Sequence, residues 1–164
     1  MKRSKLIIFF LILAVVTQAQ ILKPVKWTFS GVPVKGKAGI YEVHMTAMID
    51  KGWKTYSQST PEDGPVATVV KFKPNPLVLL GGKVKEVGEM HKVHEEAFGV
   101  DVWYYKDKVD FVQVVKLKNA LSPHKGDLSQ REREVILQGT VAFMVCDAHQ
   151  CLPVEEIEFS VELK

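Results

Sequence analysis

Polar and apolar residues alternate over long stretches of this chain. Tyr41, Val43, Met45, Ala47 and Ile49 are interleaved with Glu42, His44, Thr46 and Met48. A two-residue period places one set on a buried face and the other toward solvent, so this segment reads as a strand. Ile157, Phe159, Val161 and Leu163 alternate still more cleanly with Glu156, Glu158, Ser160 and Glu162. Residues 109–117 follow the same rule less strictly. Shorter strand candidates are 25–30, 66–72, 84–87, 100–105 and 134–145. Between them lie Gly- and Pro-rich breaks at 31–39, 61–65 and 74–76 and at Gly81-Gly82. Helical periodicity is nearly absent. Its best candidate, a turn within 122–134, reads more simply as a polar loop. Many short strands with this punctuation predict an all-β sandwich or barrel.

The first residues do not belong to that pattern. Lys2, Arg3 and Lys5 precede an unbroken apolar run from Leu6 to Val16, and Thr17-Gln18-Ala19 follows with small residues where a signal peptidase needs them. The run is too short for a comfortable membrane span, so 1–19 is expected to be a secretory signal and 20–164 the exported domain. With no cysteine at the expected new N-terminus, a lipid anchor is not expected. The 164 residues amount to one domain, and 46% hydrophobic with 25% charged residues is an ordinary globular composition. The net charge of +3 comes from the signal, which leaves the remaining basic residues balanced by the 19 acidic ones. A neutral domain has no electrostatic footprint for nucleic acid. The product is therefore expected to be soluble and outside the cytoplasm.

Export changes how the two cysteines read. Cys146 and Cys151 stand at the roots of a short loop, Cys146-Asp147-Ala148-His149-Gln150-Cys151, with strand candidates on both sides. In an oxidising compartment such a pair can form a disulfide, and its roots can come within the usual Cα separation of about 4.4–6.8 Å. A structural staple is one reading. So short a loop gains little from closure, and exposed disulfides tend to be labile, which favours thiol–disulfide exchange as the other. A third reading is a periplasmic metal carrier, with His91, His94, Cys146, His149 and Cys151 as thiolate and imidazole ligands for zinc or copper; their spacing matches none of the usual zinc patterns. An imidazolium at His149 would favour a neighbouring thiolate, whereas Asp147 would oppose it; His149 also reads simply as a solvated loop residue. G-x-S-x-G, H-E-x-x-H and Gly-rich phosphate-loop signatures are absent. A Cys–His protease would lose its nucleophile once the cysteines paired. Nothing in the sequence calls for a cofactor or a resident metal.

The closing stretch from Gly139 through Phe143-Met144-Val145-Cys146 and Cys151-Leu152-Pro153 to Leu163 resembles the N-terminal periplasmic domain of the thiol:disulfide interchange protein DsbD, in its Bacteroidetes-like form. Ile49 to Gln58, with Trp53 and Tyr56, and Pro61-Glu62-Asp63-Gly64-Pro65 fit as well, so the resemblance runs from about Trp27 onward. It implies an immunoglobulin-like β-sandwich whose cysteine pair cycles between dithiol and disulfide. Electrons would come from a thioredoxin-like domain or membrane donor and pass to disulfide-containing periplasmic partners. Cys151 would attack and Cys146 would resolve. The family's cap loop, acidic-acidic-aromatic ahead of a glycine, corresponds to Glu95-Glu96-Ala97-Phe98-Gly99; with Ala97 at the first aromatic position, Phe98 would have to serve as the cap. Trp53 and Tyr56 match aromatic positions near the family's active site or serve in packing. The loop between the cysteines is one residue shorter than in well-known members. Those members continue into a membrane domain and a thioredoxin-like domain, so a chain ending at Lys164 is expected to act alone with separate donor and acceptor proteins. The alternative from another class is a non-catalytic binding or chaperone-like module that keeps the fold and uses the disulfide as a staple.

Overall fold

A computed structural model describes residues 22–118 and 135–164. The expected signal 1–19 and the polar loop within 122–134 lie outside the described residues. Among the described residues nine strands run in chain order: β1 (Val25–Pro33), β2 (Ile40–Ile49), β3 (Lys54–Tyr56), β4 (Val69–Phe72), β5 (Val78–Glu95), β6 (Val100–Leu117), β7 (Val135–Phe143), β8 (Val145–Cys146) and β9 (Glu155–Leu163). All pairings are antiparallel.

The strands form two sheets. One is ordered β1-β2-β6-β3-β8 with β5 also on β6; the other is β4-β7-β9. The expected alternation decides which face meets the core. Val43, Met45 and Ala47 of β2 are fully buried, and so are Val109, Phe111 and Val115 of β6. They face Leu137, Val141 and Phe143 of β7 and Phe159, Val161 and Leu163 of β9 in one apolar cluster. Aromatic rings cross the gap between sheets: Trp27 meets Phe143 at 5.2 Å and Phe29 stacks on Phe159 at 5.0 Å between ring centroids. Two antiparallel sheets sharing one core make the expected all-β, immunoglobulin-like sandwich.

Two features depart from the sequence expectation. Gly81-Gly82 does not end a strand. It is a bulge inside an 18-residue β5, where the register against β6 shifts between Gly81 and Lys85. Gly82 adopts a φ of 74°, open to glycine and costly for other residues, so the chain bends there without losing its partner strand. Likewise 100–105 and 109–117 are one strand, β6, bent where Asp107 takes a φ of 58°. Long strands with internal bends look like several short ones when read by alternation alone.

The bends give β6 two neighbourhoods. Along 108–116 its second edge is taken by β2, and along 104–105 by the short β3. β5 follows the other edge throughout, so β5 and β6 form a long hairpin. Its tip half, 90–95 against 100–105, reaches past the end of β2 to the cysteines.

Candidate functional site

The loop with the two cysteines begins where the chain changes sheets. Phe143 closes β7 opposite Glu155 in the three-stranded sheet, and Val145 opens β8 opposite Thr55 in the other. Met144, between them, belongs to neither ladder. Its carbonyl accepts the hydroxyl of the fully buried Thr55 at 3.0 Å, which satisfies a backbone group that the crossing would otherwise strand.

From Cys146 the chain turns back on itself. Asp147 N donates to the carbonyl of Gln150, and Leu152 N donates to that of Val145, both at 2.9 Å. These two bonds flank Cys146 and Cys151 as a non-hydrogen-bonded antiparallel pair, the arrangement in which facing Cα atoms come closest. Their Cα atoms lie 4.0 Å apart, side chains on one face, and the sulfurs are joined in a disulfide. The turn is locked by Asp147, whose Oδ1 accepts the backbone N–H groups of His149 (2.7 Å) and Gln150 (2.8 Å). Those bonds, that of His149 first, hold the Asp147 carboxyl below its ordinary range.

The two sulfurs have unequal surroundings. Cys151 is exposed. Cys146 is only 2% exposed and packs with Tyr56 and Val102 in a small cluster separate from the main core, flanked by Val93, Val100, Tyr104 and Met144. Register explains who meets whom. Cys146 is opposite Lys54, Tyr56 is opposite Tyr104, and Val102 is opposite Val93. Directly paired residues, and residues two apart, share a face of a sheet. Lys54, Tyr56, Tyr104, Val102, Val93 and Glu95 therefore line one face beside Cys146, while Thr55, Tyr105 and Val145 face the opposite way.

On that face Lys54 Nζ donates to Glu95 Oε2 at 2.6 Å, a pair in which both side chains are largely covered (18% and 25% exposed). The same ammonium lies 5.3 Å from the Tyr104 ring centroid and 5.8 Å from that of Tyr56. Burial foremost, then the charge of Glu95 and the nearby Tyr104, push the Tyr56 phenol far above its ordinary value, so it stays protonated. On the other side of β3, Glu86 anchors the chain that follows it. Its carboxylate accepts Ser57 Oγ (2.8 Å), Gln58 N (2.7 Å) and Tyr105 Oη (2.6 Å).

Of the residues singled out from sequence, Cys146, Cys151, Tyr56 and Glu95 come together here. Glu96 and Phe98 sit at the hairpin tip, in a turn closed by the N–H groups of Phe98 and Gly99 on the Glu95 carbonyl. Phe98 is 40% exposed. Trp53 faces the other way and packs against the main core. His149 is exposed on the turn, where its backbone is used by Asp147. His91 and His94 stand three apart on a regular stretch of β5 and so point to opposite faces. His91 stacks on Tyr104 at 5.3 Å and His94 pairs with Asp101 at 2.9 Å. Among the described residues no three His, Cys, Asp or Glu side chains gather as a metal ion would require. Reading by type overlooked Lys54, which shares the two-residue period of Tyr56 but carries no motif, and Val93, Val100 and Val102, which look like ordinary strand residues.

No protein-family model matches the chain, and a search of curated proteins finds no match. Among solved structures, the N-terminal periplasmic domain of ScsB from Proteus mirabilis superposes with a TM-score of 0.47 at 18% identity, over 85% of this chain and 44% of that one. ACE19, the collagen binding subdomain of the Enterococcus faecalis surface protein ACE, superposes with a TM-score of 0.40 at 6% identity, over 84% of this chain and 95% of that one. Likenesses this distant leave activity and partners to the chemistry of the site.

Proposed function

We propose that this domain is an exported, periplasmic carrier in thiol–disulfide exchange that cycles Cys146 and Cys151 between disulfide and dithiol. It would take two electrons from a thioredoxin-like donor and pass them to disulfide-containing periplasmic proteins. One observation carries the reading: an exposed sulfur is bonded to a buried one across a short loop, outside the main core. Exchange needs a sulfur that a partner can reach and a second that is kept from side reactions. The sequence resemblance of the Gly139–Leu163 stretch points the same way.

In the reducing half-cycle a donor thiolate attacks Cys151 Sγ. A donor–Cys151 disulfide forms, the Cys151–Cys146 bond breaks, and the electron pair leaves on Cys146. The donor's second thiolate then displaces Cys151, leaving the donor oxidised and the pair reduced. Toward an acceptor the order reverses: the Cys151 thiolate opens the acceptor's disulfide, and Cys146 resolves the mixed disulfide. Glu96 and Phe98, at the hairpin tip, would be displaced as a partner docks on Cys151.

The test is the reduction potential of the pair, measured by equilibrating the domain in thiol redox buffers, alkylating free thiols and counting them by mass. A value above about −300 mV marks a pair suited to exchange. A much lower value would make the disulfide a staple and the domain a binding module.

A further inference from the structure

Whenever the disulfide opens at Cys151, negative charge appears on Cys146. That sulfur is 2% exposed and packed among Tyr56, Val102, Val93 and Val100. Water cannot solvate it well, and burial in apolar surroundings opposes a thiolate. Such a sulfur is a poor leaving group and a poor resolving nucleophile unless a cation stands near it.

We propose that Lys54 is that cation, and that Glu95 restrains it until the hairpin tip is displaced. The proposal rests on the exchange function above. Lys54 is the direct cross-strand partner of Cys146, on the same face of the sheet. Its ammonium is held over the ring of Tyr56, which itself packs against Cys146. Its charge is largely cancelled by the Glu95 carboxylate at 2.6 Å. Glu95 is the last residue of β5, so a partner that lifts the tip carries the carboxylate away. Lys54 stays behind on β3, kept over Tyr56. The freed ammonium then faces the sulfur at the step that loads it with charge. No proton or additional reactant is needed: the electron pair of the broken S–S bond remains on Cys146 as its thiolate.

The experiment is the rate at which dithiothreitol reduces the oxidised domain, for wild type, Lys54→Met, Lys54→Arg, Glu95→Gln and the double variant Lys54→Met/Glu95→Gln. A stabilisation equivalent to one pKa unit is tenfold, so Lys54→Met should slow reduction by about three- to tenfold. Lys54→Arg should restore most of the rate. Glu95→Gln, which frees the ammonium without removing the tip, should speed reduction by a similar factor. In the double variant that acceleration should vanish, because Glu95 acts through Lys54. An acceleration by Glu95→Gln that survives without Lys54 would mean that the Glu95 charge acts on the sulfur directly, not through Lys54, and would overturn the proposal. So would an unchanged Lys54→Met rate in a protein whose wild type is readily reduced, or a Glu95→Gln variant slower than wild type. Were Lys54→Met to misfold by circular dichroism, Glu95→Gln still decides the sign: a variant no faster than wild type overturns the proposal. A wild type that dithiothreitol fails to reduce would instead remove the exchange function itself.

Discussion

The unequal burial of the two sulfurs makes a quantitative prediction. In Cys146→Ser the remaining Cys151 thiol lies exposed; in Cys151→Ser the remaining Cys146 thiol lies under the hairpin tip. To reach Cys146, a reagent must wait for Val93 and Val100 to lift from Tyr56 and for the Lys54–Glu95 pair to part. Re-exposing two partly buried valines forfeits about 1 kcal/mol each, at roughly 0.8 kcal/mol per buried methylene. A largely covered ion pair adds about 1 kcal/mol more. The opening then costs about 3 kcal/mol, or roughly a hundredfold in rate, since every 1.4 kcal/mol is tenfold. Iodoacetamide alkylation followed by mass spectrometry measures both rates, and the thiolate absorbance at each pH normalises them to the reactive species. Per thiolate, Cys151 should react about a hundred times faster. Rates within threefold of each other would mean that the tip does not shield Cys146, and the division of roles between the cysteines would lose its basis.

Two further outcomes are expected. A Cβ on Gly139 would collide with the Lys71 carbonyl oxygen and come within 2.5 Å of the Phe159 ring, so Gly139→Ala should destabilise the sandwich by about 1–3 kcal/mol in urea unfolding while leaving the exchange rate of folded molecules unchanged. The Asp147 carboxyl, held below its ordinary range by the His149 and Gln150 amides, should keep its turn ordered at and above about pH 4 and release it only as pH falls through its lower folded value; protection of those two amides from hydrogen exchange should follow that course and be lost at all pH values in Asp147→Ala.

Much of the fold was legible because it is written in alternation. Residues 41–49 and 157–163 place their apolar sets on the core as the period demands. What could not be read were the bends: a Gly-Gly pair ends a strand or bulges it according to what lies alongside, and β6 lies alongside β5 throughout. The cysteine loop was legible for a similar reason, since two residues at the roots of a short turn can come within disulfide range, and here they face each other. The surroundings of Cys146 were not. They depend on the sheet change at Met144 and on β3, three residues whose alternation is too short to register as a strand. Lys54 became visible as a candidate only when register set it opposite Cys146, and the H-x-x-H pair lost its appeal as a ligand set when the same register sent its two rings to opposite faces.

A carrier that opens its own disulfide in every cycle must stay folded when it does, and the location of the pair bears on this. The main core contains neither cysteine: Cys146 belongs to the satellite cluster and Cys151 is exposed. The bond spans a sequence separation of only five, and chain-entropy loss from closing so short a loop is worth roughly 2 kcal/mol, against about 5 kcal/mol for a loop of a hundred residues. The hydrogen bonds from Asp147 N to Gln150 O and from Leu152 N to Val145 O, and the Asp147 side-chain bonds that close the turn, do not involve the sulfurs and should survive reduction. Urea unfolding with and without reductant should therefore give cooperative transitions differing by at most about 2 kcal/mol, with the reduced domain still folded in buffer. If reduction instead collapses the domain, the disulfide is a staple: a pair that must remain closed for its scaffold to exist cannot also carry electrons, and the binding-module reading would replace the exchange reading.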